Sequence, residues 1–194
     1  MLLRELEHRV KNNFASVSSM LHLQLRDHKD DPVVAAALQS AMGRVESYAL
    51  VNSFLYRGSG YTGILNMSEY LTQLCSNLEN ATTSRMTVSI VAEIAPIPME
   101  RDQAVAVGLL VNELVTNAMK HAFRDRVHGQ ILVRLTGDEN EWQLEIADNG
   151  GGFVGAAGTG SLGLKLVSAL ASQIDSSVQI NSDADGTKCI FKHG

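Results

Sequence analysis

An α+β fold in two parts is predicted for this 194-residue chain: a helical hairpin over residues 1–60, able to pair into a dimeric four-helix bundle, and an α/β sandwich over residues 61–194. Three observations predict it. Apolar residues recur at helical spacing through the first part of the chain. A glycine-rich break, Arg57-Gly58-Ser59-Gly60-Tyr61-Thr62-Gly63, then ends that pattern. Beyond it, helical stretches are interleaved with short runs in which apolar and polar residues alternate, the mixture expected of helices packed on one face of a mixed sheet.

The first helix carries Leu3, Leu6, Val10, Val17, Met20 and Leu21 at helical spacing and stops at the charged turn Arg26-Asp27-His28-Lys29-Asp30-Asp31-Pro32. The second carries Val34, Leu38, Ala41, Val45, Tyr48 and Leu55 in alternating steps of four and three, with Asn52 in the missing position, which is a heptad seam. A lone hairpin has one face left over, so a homodimer that buries both seams is expected. After the break, Met67 to Leu78 predicts an amphipathic helix, Thr87 to Ala92 a strand, and Glu100 to His121 a long helix preceded by Pro96 and Pro98. Gln130 to Leu135 and Trp142 to Ala147 read as antiparallel strands around Gly137-Asp138-Glu139-Asn140. Ser161 to Ile174 returns to helix, and Val178 to Ile180 and Lys188 to Phe191 close as a hairpin around Asp185-Gly186.

Composition narrows the function classes. A 45% apolar content suffices for cores in both parts. The net charge of −5, without a block of basic residues, leaves no electrostatic footprint for nucleic acid or an anionic membrane surface. Cys75 and Cys189 lie far apart among apolar neighbours without metal-ligand spacing, as reduced buried thiols do. With no signal peptide and no apolar run that could span a bilayer, a cytoplasmic location without direct membrane contact is expected for this segment. A chain that begins so close to His8 reads as an excised core or a minimal protein.

The residues that carry chemistry fall into four groups. His8 sits in Leu6-Glu7-His8-Arg9-Val10-Lys11-Asn12-Asn13, where a neutral imidazole offers a nitrogen nucleophile that needs no strong base to create it. Glu113, Asn117 and Lys120 share one face of the long helix with His121 beside them, a carboxylate, an amide and cations suited to a metal-bound triphosphate. The Asn117 amide oxygen is a candidate Mg²⁺ ligand, and Lys120 and His121 are candidates for phosphate oxygens. Asp148-Asn149-Gly150-Gly151-Gly152 follows a strand, so Asp148 can accept a hydrogen bond from an adenine amine while Gly150 and Gly152 let backbone come close. Gly155, Gly158, Gly160 and Gly163 form a loop into a helix that Ser161 is placed to cap, a source of backbone amides for phosphate. Gly186-Thr187 adds a hydroxyl in a tight turn. Together these groups imply phosphoryl transfer from ATP to a protein histidine.

In that order the motifs Asn112-Glu113-Leu114-Val115-Thr116-Asn117-Ala118, Asp148-Asn149-Gly150-Gly151-Gly152, Ser161-Leu162-Gly163-Leu164 and Gly186-Thr187, with His8-Arg9-Val10-Lys11-Asn12-Asn13 ahead of them, resemble the HWE-related, second HisKA-type group of bacterial sensor histidine kinases. The resemblance spans nearly the whole chain. It implies a dimerisation and phosphotransfer hairpin followed by a Bergerat-type ATP-binding domain, the fold shared with gyrase, mismatch-repair and heat-shock chaperone ATPases. It further implies His8 as phosphoacceptor, Asn117 as the Mg²⁺ ligand, Asp148 as the adenine reader, Leu162 within the lid motif, and Gly160 and Gly163 as lid glycines. The partner implied is the receiver domain of a separate response regulator. Two positions depart from the pattern: Arg9 stands where conventional kinases place an acidic base, and Asp175-Ser176 where related chains often carry glycines. The first leaves Glu113 and Glu7 as rival proton acceptors, with Glu113 the better aimed. Trp142 only partly echoes the tryptophan motif of strict HWE members. Two other readings stand beside this one, a catalytically degenerate phosphotransfer scaffold and an anti-sigma-type serine kinase or binding module on the same ATP fold.

Overall fold

The computed structural model describes residues 2–57, 63–80, 87–123, 126, 128–152 and 162–194, without side chains at 2–8, 47, 51, 54–57, 87, 162 and 164. Two antiparallel helices come first, α1 (Leu2–Asp27) and α2 (Pro32–Arg57). The turn between them is fixed by Asp31, whose carboxylate accepts hydrogen bonds from the Val33 and Val34 amides at 3.0 and 3.1 Å. That is an N-cap, with Pro32 in the first helical position, where its missing N–H costs nothing. The predicted hairpin therefore forms, but not with the predicted stripe throughout. Val10, Phe14, Leu21 and Leu25 are the half-buried apolar side chains of α1, whereas Val17 is 46% and Met20 67% exposed. Two apolar rows run along α1, and spacing alone does not say which one α2 covers.

The glycine-rich break falls largely outside the described residues. Beyond it, β1 (Ile64–Asn66) pairs antiparallel with β3 (Pro98–Glu100), and α3 (Met67–Asn80) lies between them in sequence. The five-stranded sheet contains β2 (Thr87–Ile94), β4 (His128–Gly137), β5 (Trp142–Asp148), β6 (Ser176–Asp183) and β7 (Gly186–His193) in the order β2-β4-β5-β7-β6. β2 is parallel to β4 and the other pairs are antiparallel, so the sheet is mixed, as predicted. Between β2 and β4 the chain crosses over through α4 (Arg101–His121), as parallel pairing requires. Helix α5 (Leu162–Gln173) returns beside α4 before β6.

One face of the sheet carries the core. Val107, Leu110, Val111 and Val115 of α4 are fully buried together with Ile131 and Val133 of β4, Leu144 of β5 and Phe191 of β7. Each such side chain contributes roughly 1.5–3 kcal/mol by leaving water. The other face is polar, with Glu93, Arg134, Glu145 and Lys188 linked strand to strand; the Arg134–Glu93 contact is 2.6 Å and the Lys188–Glu145 contact 2.9 Å. Both cysteines are buried free thiols. Burial pushes the Cys75 thiol up to about 12 and the Cys189 thiol up to about 11, so both stay protonated and inert near neutrality.

Helix α5 ends at Gln173, and two residues on Asp175 adopts φ +49°, the left-handed conformation that often follows a helix. The aspartate thus occupies a conformation that glycine takes most readily.

Candidate functional site

The far end of β5 meets the C-terminal end of α4 and the start of β7. Asp148 is the last residue of β5 and sits opposite Thr187 in the register. Its carboxylate accepts a hydrogen bond from the Gly150 amide at 2.9 Å. Burial raises its pKa above the ordinary aspartate value, while bonds from Gly150 and Thr187 and the charge of Arg126 pull the other way. Thr187 in turn lies 3.0 Å from the Ser182 hydroxyl across the β6–β7 hairpin. The loop after Asp148 is pinned twice more: the Gly151 amide donates to the Ala122 carbonyl at 2.9 Å, and Arg126 donates to the Asn149 carbonyl.

Glycine is required in this loop by the chain's own packing. A Cβ on Gly150 would stand 2.4 Å from the Ala122 carbonyl oxygen, and one on Gly152, at φ +58°, would stand 1.8 Å from the Asp183 carbonyl oxygen. The chain's own backbone fills both clearances.

Along α4 the predicted stripe divides. Lys120 and His121 are exposed at the C-terminal end and Asn117 is half-buried, but Glu113 is only 5% exposed. Its carboxylate accepts from Arg44 Nε of α2 at 2.9 Å and from Ser40 Oγ at 3.4 Å, and Arg44 also donates to Ser40 at 3.2 Å. The first turn of α5 lies against the same stripe, since a Cβ on Gly163 would be 3.5 Å from the Asn117 amide nitrogen and 3.9 Å from Glu113 Oε2. The structure thus brings Glu113, Asn117 and Gly163 together, and holds the Asp148 loop against the end of the same helix. His8 and Leu162 lie on α1 and α5 without described side chains, and Gly155, Gly158, Gly160 and Ser161 lie outside the described residues.

A half-exposed amide beside a helix start suits a hard cation that keeps its waters and shares phosphate oxygens. Among the described residues no cluster of three or more His, Cys, Asp or Glu side chains forms a protein-built metal cage. A cleft of about 660 Å³ lined by Glu100, Asp102, Glu139, Asp175 and His193 opens at the opposite end of the sandwich, next to the β4–β5 turn, and contains none of these residues.

Sequence reasoning missed the contacts between hairpin and sandwich. Besides Arg44 and Ser40, Asn52 is buried, donating to the Tyr48 carbonyl at 2.8 Å and accepting from Arg101 of α4 at 3.0 Å. Two signals were present: an asparagine in a heptad seam, and Gly43 within a helix. A Cβ on Gly43 would press on the Asn112 amide at 3.2 Å, so the glycine marks a close approach of α2 and α4.

Residues 5–82 match the family described as Histidine kinase, and residues 74–192 that described as Histidine kinase-like ATPase domain. Blue-light-activated histidine kinase 2 of Erythrobacter litoralis is 28% identical over 95% of this chain and 54% of its own length. The sensor histidine kinase PdtaS of Mycobacterium tuberculosis is 28% identical over 98% of this chain and 38% of its own. The chain therefore spans about half, or less, of the curated relatives it matches. The solved histidine kinase domain of an Erythrobacter litoralis blue-light-activated kinase superposes with a TM-score of 0.74, at 23% identity, over 98% of this chain and 89% of that one. The Acinetobacter baumannii histidine kinase AdeS superposes with a TM-score of 0.55, at 14% identity, over 91% of this chain and 93% of that one. Both carry the same fold.

Proposed function

This chain belongs to the histidine kinase family, with a histidine kinase-like ATPase domain as its second part, and from that premise we propose that it autophosphorylates His8 from ATP and passes the phosphoryl group to an aspartate of a separate response regulator. The observation that carries the reading is the convergence at one end of the sandwich of the strand-end carboxylate of Asp148, the Asn117 amide and the start of α5, behind a hairpin that bears His8.

In this reading Asp148 accepts a hydrogen bond from the adenine amine, and the Ser182–Thr187 hydroxyl pair stands next to it for a bridged contact. The turn holding Gly150 and Gly152 keeps Asp148 in place. Asn117 supplies an oxygen to Mg²⁺, which when bound neutralises charge on the β- and γ-phosphates. Lys120 and His121 meet phosphate oxygens, and the lid of Gly160, Ser161, Leu162 and Gly163 closes over them with its helix N-terminus. The unprotonated ring nitrogen of His8 attacks the γ-phosphorus, the bond to the bridging oxygen breaks, and ADP leaves. The other ring nitrogen then surrenders its proton to a carboxylate, for which Glu113 is the candidate. Boundaries near residues 60 and 61 separate the phosphoacceptor hairpin from the nucleotide domain.

The exposed Val17, Met20 and Leu23 row on α1, with Tyr48 on α2, supports a homodimer through the hairpin. No helix among the described residues is long and apolar enough to cross a membrane. Incubation with labelled ATP and Mg²⁺ tests the proposal. The label should be acid-labile and absent from His8→Gln, whose ATP affinity should be unchanged. An acid-stable label, or one that persists in His8→Gln, sinks it.

A further inference from the structure

A cross-strand row ends the sheet beside the Asp148 loop: Asp148 on β5, Thr187 on β7 and Ser182 on β6, each opposite the next in the register. All three are half-buried. Directly opposed residues of antiparallel strands share a face, and Thr187 alternates with the buried Cys189 and Phe191, so the row lies on the face that the helices cover. Its donors and acceptors follow in order. The ionised Asp148 carboxylate only accepts, and it takes the Gly150 amide at 2.9 Å together with the backbone amide and the hydroxyl of Thr187. The single hydroxyl proton of Thr187 is thereby committed to Asp148. Ser182 Oγ stands 3.0 Å from Thr187 Oγ1 and 3.4 Å from the Gly186 carbonyl, so in the shorter contact Ser182 donates and Thr187 accepts. A carboxylate offers about four lone-pair sites. With three taken by the protein's own donors, one remains open.

We propose that Ser182 is a positioning residue for base recognition: by donating to Thr187 it turns the Thr187 proton onto Asp148, leaving that carboxylate one open acceptor site that fits an exocyclic amine and rejects a carbonyl. The inference rests on the kinase reading above and adds a residue that makes its base site selective. An amine on the edge of a purine donates into the open site, whereas a carbonyl in its place meets an oxygen with no proton to offer, and a sheltered acceptor facing an acceptor is costly. Ser182 is held for this role. It precedes the turn of the β6–β7 hairpin, and a Cβ on Gly152 would stand 3.0 Å from its Oγ, so the loop after Asp148 closes over the hydroxyl. Around the carboxylate, Arg126 supplies a favourable charge and Cys189 of β7 is a protonated thiol; Asp183 and Asp185 lie in the turn beyond Ser182, and Lys120 and His121 are exposed at the end of α4. The hydroxyl chain works with Arg126 against the burial that lifts Asp148, and so helps to keep the carboxylate ionised.

The test compares the wild type, Ser182→Ala and Ser182→Thr, first in calorimetry with ATP and with GTP, each in the presence of Mg²⁺. Ser182→Ala should bind ATP roughly fivefold more weakly while its GTP affinity changes by less than about twofold, so that the preference between the two narrows. Ser182→Thr keeps a hydroxyl and should restore it. A purely structural role would weaken both nucleotides alike, so equal losses, or an unchanged ATP affinity, overturn the proposal. The second measurement follows the Asp148 carboxyl by NMR through an acid titration of the nucleotide-free protein, which reads the hydroxyl chain without any ligand. Loss of Ser182 weakens a bond to the charged form, so Asp148 should take up its proton at a higher pH in Ser182→Ala than in the wild type, with Arg126 and His121 common to both. Identical titrations overturn the proposal as well. If the wild type binds neither nucleotide, the kinase reading fails, while the carboxyl titration still decides whether Ser182 acts through Thr187 on Asp148.

Discussion

The hairpin and the sandwich bury their side chains in different ways. The sandwich closes on itself, with Leu110, Ile131, Leu144 and Phe191 wholly out of solvent. In the hairpin, Asn52 is the buried residue among those described, and its partner is Arg101 of the sandwich. One region closes a core of its own; the other is two helices that need something to lie on. A part that must be covered can be covered in more than one way, by α4, by a second copy or by a partner, and a signalling protein can use that choice.

The contrast is broken most severely from the sandwich side. Leu110→Ala removes a fully buried side chain from α4, and its expected cost is about 2–5 kcal/mol in denaturant unfolding. Leu21→Ala on half-buried α1 should cost well under half as much, and equal losses would mean that the hairpin has a core of its own. Next comes the strand-end loop. Gly150→Ala forces a Cβ to within 2.4 Å of the Ala122 carbonyl and should cost about 1–3 kcal/mol while weakening ATP binding. Gly151→Ala, whose Cβ would sit 4.0 Å from the same oxygen, should do neither. Matching behaviour of the two variants in calorimetry refutes the packing explanation.

These pairs show how far the sequence reached. Element types were legible because periodicity is local: the α4 pattern, the antiparallel strands and the charged turn before Pro32 could be read without partners. The three-residue strands β1 and β3 were not, since a pattern that short carries no period. The Asp148 and Asn117 positions were legible as motifs, whereas the reason for Gly150 and Gly152 was not, because Ala122 and Asp183 meet them only in the fold. Arg44 was hidden most completely. It is 69 positions from Glu113 and looked like any charged residue on a solvated helix face.

On the hairpin side the expected effect on folding is smaller and the effect on assembly larger. Val17→Glu with Met20→Glu places charges on the exposed row of α1, so unfolding of a single chain should change by only about 0.5 kcal/mol. Light scattering should nonetheless report monomers if that row is the dimer face. Leu38→Glu with Val45→Glu touches half-buried positions and should weaken the hairpin itself as well as the dimer. Dimers that survive the α1 pair but not the α2 pair would move the interface to the other face.

The smallest effect separates function from stability at a single atom group. Burial lifts the folded pKa of Asp148 above its unfolded value, so its ionisation costs stability at any pH above the folded value, and that cost disappears as pH falls through the window between the two. Half in solvent, the group pays a screened penalty, so Asp148→Asn in the nucleotide-free protein should raise the melting temperature at pH 7 by no more than about 1–2 °C. The gain should vanish in acid, below both pKa values. The same variant should lose ATP binding, because the amide can turn a donor towards the adenine amine where the carboxylate could only accept. A site selected for folding would show the opposite pairing. If Asp148→Asn is less stable at pH 7 and binds ATP normally, Asp148 is a turn residue held by the Gly150 amide, and the adenine contact has to be sought elsewhere on the strand end.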